Sequence, residues 1–131
     1  MNVQKVAEIS RISKAEKWPY PKTFNSLKEA GVESYRTQVS NHELTYTGGG
    51  KNWIEKTMSD HDAISVANTF SRSDVVQAIQ KHTLEKTSYD SFLQGIAAAG
   101  VVCYIVDMVR REISYQGVNA GESHVEKVPQ F

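Results

Sequence analysis

Apolar residues follow the spacing of amphipathic helices in three segments of the chain. Steps of three and four residues place them on one face in residues 3–12, 73–79 and 89–96. The first helix is expected to end at Pro19, because a residue that precedes proline leaves the helical conformation. Ser73 is the predicted N-cap of the second helix. A fourth helix is expected over residues 24–30.

Short runs of β-branched and apolar residues predict strands between these helices. The run 101–108 is apolar on both faces, which favours a central strand covered on both sides. The corresponding run 32–39 contains Glu33, Arg36 and Gln38, and this pattern indicates either a strand with one wet face or an edge strand. Further strands are predicted at residues 43–47, 53–56, 112–117 and 124–128, with a less regular one at 63–67.

The chain resembles itself when it is shifted by 69 residues. Residues 20–48 then align with residues 89–117 without a gap and share eight identities in 29 positions, against roughly two expected by chance. The identical pairs are Tyr20 and Tyr89, Ala30 and Ala99, Gly31 and Gly100, Val32 and Val101, Tyr35 and Tyr104, Glu43 and Glu112, Tyr46 and Tyr115, and Gly48 and Gly117. Gly31 and Gly100 are expected to end their helices in the left-handed conformation.

These patterns together predict an α+β fold with an internal duplication over residues 20–56 and 89–127. The repeated unit is a helix followed by an antiparallel β-hairpin or a three-strand meander. A chain of 131 residues fits one domain, so residues 1–131 are expected to form a single antiparallel sheet with helices packed on it.

Charge and cysteine content narrow the classes of function. Fifteen Lys and Arg balance fifteen Asp and Glu, so nucleic acid is an unlikely partner and no general attraction to an anionic membrane is expected. The single cysteine, Cys103, cannot form an internal disulfide, and this favours a cytoplasmic protein. No signal peptide, membrane span or cofactor motif is recognised in the sequence.

Four tyrosines at matched positions are the leading candidates for a site. By strand alternation, Tyr35, Tyr46, Tyr104 and Tyr115 are expected to come close together in a shared sheet. One interpretation is that they bridge core and solvent, since tyrosine buries its ring and keeps its hydroxyl wet. The other is a pocket or partner surface, which would also include Asp107, His42 and His124.

Other motifs carry weaker signals. Asp60, His61 and Asp62 are metal-capable, but adjacent residues of an extended chain point to opposite faces, so they are weak candidates and no metal site is predicted. The glycines at 48–50 favour a hairpin turn over a phosphate-binding loop, because a strand follows them where such a loop needs a helix. Cys103 lies in an apolar strand and is interpreted as a packed residue.

The stretch SYDSFLQGIAAAGVVCYIVDMVRREISYQGVNAGES resembles the domain-of-unknown-function family typified by the prophage proteins YbcV and YdfO, often labelled phage envelope protein. The alanine-glycine-valine stop at residues 99–101, with Tyr104 and Asp107 after it, carries the likeness. The helix around residues 80–82 and the segment 24–46 also follow the family's layout, so the resemblance covers nearly the whole chain. It implies an α+β fold of prophage or mobile-element ancestry, and the family has no established catalytic residues to carry over to this chain.

Two hypotheses of function follow. The first is a small noncatalytic binding or regulatory protein, which meets a protein partner or a second copy of itself through a sheet edge or the paired tyrosines. The second is a small-ligand-binding protein or enzyme with a pocket between the two repeats, lined by Tyr35, Tyr104, Asp107, His42 or His124. A strongly shifted pKa in a concave site would favour the second.

Overall fold

The computed structural model describes residues 1–55, 64–85, 87 and 89–128 of the chain. Two helices and three strands are followed by two helices and three strands. The elements are α1 (Val3–Ala15), α2 (Tyr20–Glu29), β1 (Ser34–Gln38), β2 (Leu44–Gly48), β3 (Lys51–Glu55), α3 (Arg72–Glu85), α4 (Tyr89–Ala98), β4 (Cys103–Asp107), β5 (Glu112–Gln116) and β6 (Ser123–Lys127).

All six strands form one antiparallel sheet in the order β3-β2-β1-β4-β5-β6. The predicted α+β class and antiparallel sheet are therefore confirmed, and the central place of β4 is confirmed as well. Its neighbour β1 is also central, so the edge-strand alternative for β1 is wrong. The wet-face alternative is correct, because Tyr35 and Thr37 are buried while Arg36, between them, is exposed.

The helices pack on one face of the sheet. Phe92 of α4 contacts the rings of Tyr104 and Tyr115, and Ser10 of α1 donates a hydrogen bond to Glu55 of β3. Alternate strand residues point to this side, and they join the helices in one buried apolar core. The largest fully buried side chains are Phe24, Leu93, Ile96, Met108, Val6, Val39, Val75, Val101, Val106 and Thr37.

Glycine ends both helices that precede the meanders, as the sequence predicts. Gly31 and Gly100 have φ values of +94° and +91°. The residue after each glycine donates its backbone N–H to a helix carbonyl: Val32 bonds Leu27, and Val101 bonds Ile96. A second constraint was not visible in the sequence. A Cβ on Gly100 would lie 2.6 Å from the Cα of Phe70, and one on Gly31 would lie 2.8 Å from the Cα of Met1.

The two halves of the chain share this plan down to individual backbone hydrogen bonds. Asn2 donates to the carbonyl of Ala30, and Ser71, which lies 69 residues later, donates to the carbonyl of Ala99. The correspondence includes α1 and α3, which the sequence comparison did not detect. That the halves arose by duplication stays a prediction.

Two local predictions are corrected. Helix α3 begins at Arg72, one residue before the predicted cap Ser73; the hydroxyl of Ser71 accepts the backbone N–H of Asp74 at 3.3 Å, as a capping side chain does. Residues 64–67 form no strand, and Ala63 lies outside the described residues.

Gly49 and Gly50 form the predicted hairpin turn, with φ values of +57° and +78°.

Candidate functional site on the open face of the sheet

The four matched tyrosines come together, but they do so beneath the helices. The ring centroids of Tyr35 and Tyr46 are 5.7 Å apart, and those of Tyr104 and Tyr115 are also 5.7 Å apart. None of the four side chains is more than 7% exposed. They therefore lie in the core between sheet and helices and present no outer surface to a partner.

In the first half, the tyrosine layer continues to the edge strand β3. The ring of Tyr46 stacks on Trp53 with 5.6 Å between centroids, and the hydroxyl of Ser10 donates to Glu55 at 2.9 Å. Burial raises the pKa of the Tyr46 phenol well above its usual value, and the negative charge of Glu55 adds to the shift, while a hydrogen bond with Ser10 opposes it. Tyr46 is thus held neutral, which suits a packing residue.

In the second half, histidine takes the place of tryptophan. Tyr115 stacks on His124, whose Nε2 atom lies 3.6 Å from a carboxylate oxygen of Glu126. His82 of α3 contacts the ring of Phe92 at 4.7 Å. Burial lowers the pKa of His82, and a hydrogen bond with Thr87 opposes that shift. These groups are spread along the helix-covered face, and none of the cavities described below is lined by them.

The remaining predicted site residues are separated from one another. His42 is buried in the β1–β2 turn with a φ of +60°, and His124 lies on β6, three strands from β1. A carboxylate oxygen of Asp107 accepts the backbone N–H groups of Val109 and Arg110 at 3.0 and 2.9 Å, which stabilises the β4–β5 turn.

The metal candidates Asp60, His61 and Asp62 lie outside the described residues. Within the described ranges, no group of three His, Cys, Asp or Glu side chains is arranged to hold a metal ion. Cys103 is 3% exposed, and its Sγ atom lies 3.7 Å from the amide oxygen of Gln116, an arrangement that fits a packed thiol.

Two cavities lie within single halves of the molecule rather than between them. One, of about 360 Å³, is open to solvent and is lined by the β5–β6 loop, residues 116–123, where Gly117 donates its N–H to the carbonyl of Glu122 at 2.7 Å. The other, of about 240 Å³, is a groove between α1 and α2 over Ile9, Ile12 and Trp18. The second is smaller than the roughly 300–1,000 Å³ of ordinary ligand pockets.

The face of the sheet opposite the helices is open among the described residues. Strand register aligns one residue from each strand in a row across its middle. In the order of the strands, this middle row is Ile54, Thr45, Arg36, Ile105, Ser114 and Val125. The end members Ile54 and Val125 are each 51% exposed. The row combines β-branched apolar contacts, hydroxyl groups and a single charge.

Arg36 stands at the centre of the middle row, directly opposite Ile105 on β4. Its side chain is exposed, and in the described part of the chain it makes no ion pair or side-chain hydrogen bond. Other charged groups on this face have partners. The Nζ atom of Lys127 lies 2.7 Å from a carboxylate oxygen of Glu112, and the carboxylate of Asp107 accepts a backbone N–H of the β4–β5 turn. Among the described residues, the face therefore presents one uncompensated cation at its centre.

Sequence reasoning identified the tyrosine positions and missed this face as a site. The signal was present in β1, where Ser34, Arg36 and Gln38 alternate with buried residues. It could not be used, because the same alternation fits a strand at the edge of a sheet.

Comparison with protein families finds a match over most of the chain. The model of the family DUF1398, described as a protein of unknown function, matches residues 9–127. No curated protein matches the chain. Across the described helices, none combines the length and the apolar character needed to cross a bilayer.

Proposed function

The chain belongs to the DUF1398 family of proteins of unknown function, and we propose that it is a noncatalytic binding protein that presents the open face of its sheet to a protein partner. The observation that carries this proposal is Arg36, an exposed guanidinium at the centre of that face without an ion-pair partner among the described residues.

The chemistry of arginine supports an interface at this position. A guanidinium offers five N–H donors and binds a carboxylate through two parallel hydrogen bonds. Arginine is also enriched among the residues that dominate binding energy, which cluster near the centre of an interface. We therefore infer a partner surface with a carboxylate that reaches Arg36 and small apolar groups that cover Ile105.

The rest of the face favours a protein over a nucleic acid. The middle row contains no aromatic side chain on which a base would stack, and the net charge of the chain is zero. Three β-branched apolar residues, Ile54, Ile105 and Val125, are interspersed in this row with polar side chains, as in a partly apolar protein interface.

The dimensions of the face indicate the size class of interface that it can form. Strands spaced by about 4.8 Å, each with about 3.3 Å per residue, give a face of roughly 29 by 17 Å, on the order of 500 Å². A stable complex buries about 800 Å² on each partner. One copy of the face therefore suits a transient or regulatory contact.

A cytoplasmic location and prophage or mobile-element ancestry belong to the same proposal. The single cysteine, which is free and buried, is compatible with a reducing compartment. Fractionation of host cells tests the location: we expect the protein with the cytoplasmic fraction, and recovery with the membrane fraction would contradict it.

Photo-crosslinking in host extract tests the binding face. A benzophenone side chain is introduced at Thr45, in the middle row, and at Asn25, which is exposed on α2. We expect a discrete protein adduct from position 45 and none from position 25. The adduct should decrease by roughly tenfold or more in Arg36→Glu, because loss of a central interface contact costs more than about 1.4 kcal/mol.

Arg11→Glu is the matched control for that charge reversal. Arg11 is exposed on α1, away from the sheet face, so its reversal changes net charge equally and should leave the adduct unchanged. Equal loss of the adduct in both variants, or an adduct from Asn25 alone, would overturn the proposal.

A further inference from the structure

The outer edge of β6 carries backbone groups that point away from the sheet. Val128 donates its N–H to Arg111, and Gly117 donates to Glu122. In an antiparallel pair, every second residue bonds its neighbour, and the residues between turn their N–H and C=O groups outward. Ser123, Val125 and Lys127 therefore present the edge.

We propose that β6 pairs antiparallel with β6 of a second copy of the chain, with Val125 at the centre of the pairing. This register places the two Val125 residues opposite each other, and Ser123 opposite Lys127 of the second copy. It also places His124 opposite Glu126 of the second copy. The pairing uses the edge and shares only Val125 with the middle row of the open face; it leaves Arg36 and Ile105 accessible, so it does not require the function proposed for Arg36.

The order of residues in β6 is self-complementary in hydrogen-bonding groups and in shape. Antiparallel pairing about Val125 brings an imidazole and a carboxylate together twice, and directly opposed residues have Cβ atoms about 4.5–5.5 Å apart. The carboxylate of Glu126 is 36% exposed at this edge, whereas His124 is 18% exposed and its buried Nε2 atom lies 3.6 Å from the carboxylate of its own Glu126. Val125 is 51% exposed and would bury much of that surface against its counterpart.

The other edge strand, β3, is less suited to the same pairing. Its outward residues are Asn52 and Ile54, because Gly48 and Lys51 flank the two-residue turn as a bonded pair. Self-pairing centred on Trp53 would set the amide of Asn52 against the apolar Ile54. The carboxylate of Glu55 already accepts a hydrogen bond from Ser10.

Arg72 limits the strength of the β6 pairing. Its guanidinium donates to the outward carbonyl of Ser123 at 2.9 Å and so covers one end of the edge. A second copy must share or displace this contact. Covering an edge group in this way is a known protection against strand pairing, so we expect a weak and reversible dimer that forms at high protein concentration.

Sedimentation equilibrium of the purified full chain over a concentration series tests the inference. We expect a monomer–dimer equilibrium with a dissociation constant on the order of 100 µM. Val125→Pro removes an outward N–H without removing a bond to β5, and should raise that constant by roughly tenfold or more. Ile54→Pro, the matched change at the edge of β3, should leave it unchanged.

Charge variants keep the test decisive if proline disturbs folding. Glu126→Lys removes the carboxylate opposite His124 and should weaken the dimer several-fold, whereas His124→Glu combined with Glu126→Lys sets a carboxylate opposite an ammonium group and should recover it. Arg72→Ala should strengthen the dimer. A wild-type chain that stays monomeric to about 1 mM, or a dimer that only Ile54→Pro disrupts, would overturn the inference.

Discussion

The first and second halves of the molecule share one backbone plan and differ in the side chains placed on it. Both halves end their second helix at a glycine with positive φ and continue into a three-strand meander. The central pair of the sheet shows the difference most plainly, since Arg36 of the first half lies opposite its counterpart, Ile105 of the second. The open face therefore has one charge at its centre. If the two halves had identical side chains, this central pair would be either two arginines or two isoleucines.

The helix pairs differ for a reason of side-chain size. In the second half, a Cβ placed on Gly95 would lie only 3.3 Å from the Cβ of Ala78, so the two small residues let α3 and α4 approach closely. The positions 69 residues earlier carry Ser26 and Ile9, and both line the groove of about 240 Å³ between α1 and α2. The same helix pair thus packs tightly in one half and leaves a groove in the other.

Core truncations at matched positions should give the largest effects. Phe24 and Leu93 lie 69 residues apart, and both are fully buried. Phe24→Ala should destabilise the fold by about 4 kcal/mol and Leu93→Ala by about 3 kcal/mol, from lost burial and the cavity left behind. Phe24 costs more because it is larger and because the guanidinium of Arg111 lies 4.9 Å from its ring.

Urea unfolding of both variants, repeated in an Arg111→Ala background, measures that difference. Removing Arg111 should reduce the cost of Phe24→Ala by about 0.5–1 kcal/mol and leave the cost of Leu93→Ala unchanged. An equal change for both would show that the cation–π contact does not distinguish the halves.

Glycine substitutions should come next. Gly100→Ala should cost about 3 kcal/mol, because the new Cβ meets the backbone of Thr69 and Phe70 in addition to the strain of positive φ. Gly31→Ala should cost somewhat less, since its nearest backbone atom lies at 2.8 Å rather than closer. Gly121→Ala, with φ of +87° and open space around it, should cost only about 1 kcal/mol.

Chemical denaturation ranks the three glycine variants directly. Equal losses at Gly100 and Gly121 would mean that φ strain alone matters and that the close approach of residues 69–70 contributes nothing.

The smallest effect should be a pH dependence of the free energy of unfolding that arises from Tyr46 in the first half. The pKa of Tyr46 is raised by burial above the 10.0 of a free tyrosine, so the unfolded chain ionises this phenol first. Its contribution to stability is complete below pH 10 and falls as pH rises above that value, by at most about 1.4 kcal/mol per pH unit. In Tyr46→Phe this part of the loss should be absent.

Free energies of unfolding of the wild type and Tyr46→Phe, measured at pH 9 and at pH 10.5, test this prediction. The stability advantage of the wild type over Tyr46→Phe should shrink between these values. A difference that is constant with pH would contradict a buried, neutral Tyr46.

The sequence predicted the elements well where local rules decide them. Gly31 and Gly100 marked the helix ends because left-handed backbone favours glycine, and the glycines at 49 and 50 marked a hairpin. The structural correspondence of α1 and α3 could not be detected from the sequence, because residues 3–15 and 72–84 share one identity, Val6 with Val75. Helix position depends on burial, which many apolar patterns satisfy equally.

The candidate site was harder to predict than the fold. Strand alternation brought the tyrosines together correctly, but the face that the helices cover is set by packing across the whole sheet and cannot be read from β1 alone. Arg36 was seen only as a sign of a wet face. Its importance depends on β4 lying beside β1, a pairing between residues nearly 70 positions apart in the chain.

Methyl NMR of the labelled protein in host extract tests the central claim most directly. We expect the signals of Ile105, Ile54 and Val125, on the open face, to shift or broaden, while that of Ile12, in the groove between α1 and α2, stays unchanged. Arg36→Glu should abolish the response. A response at Ile12 with none at Ile105, or one that survives Arg36→Glu, would contradict the account.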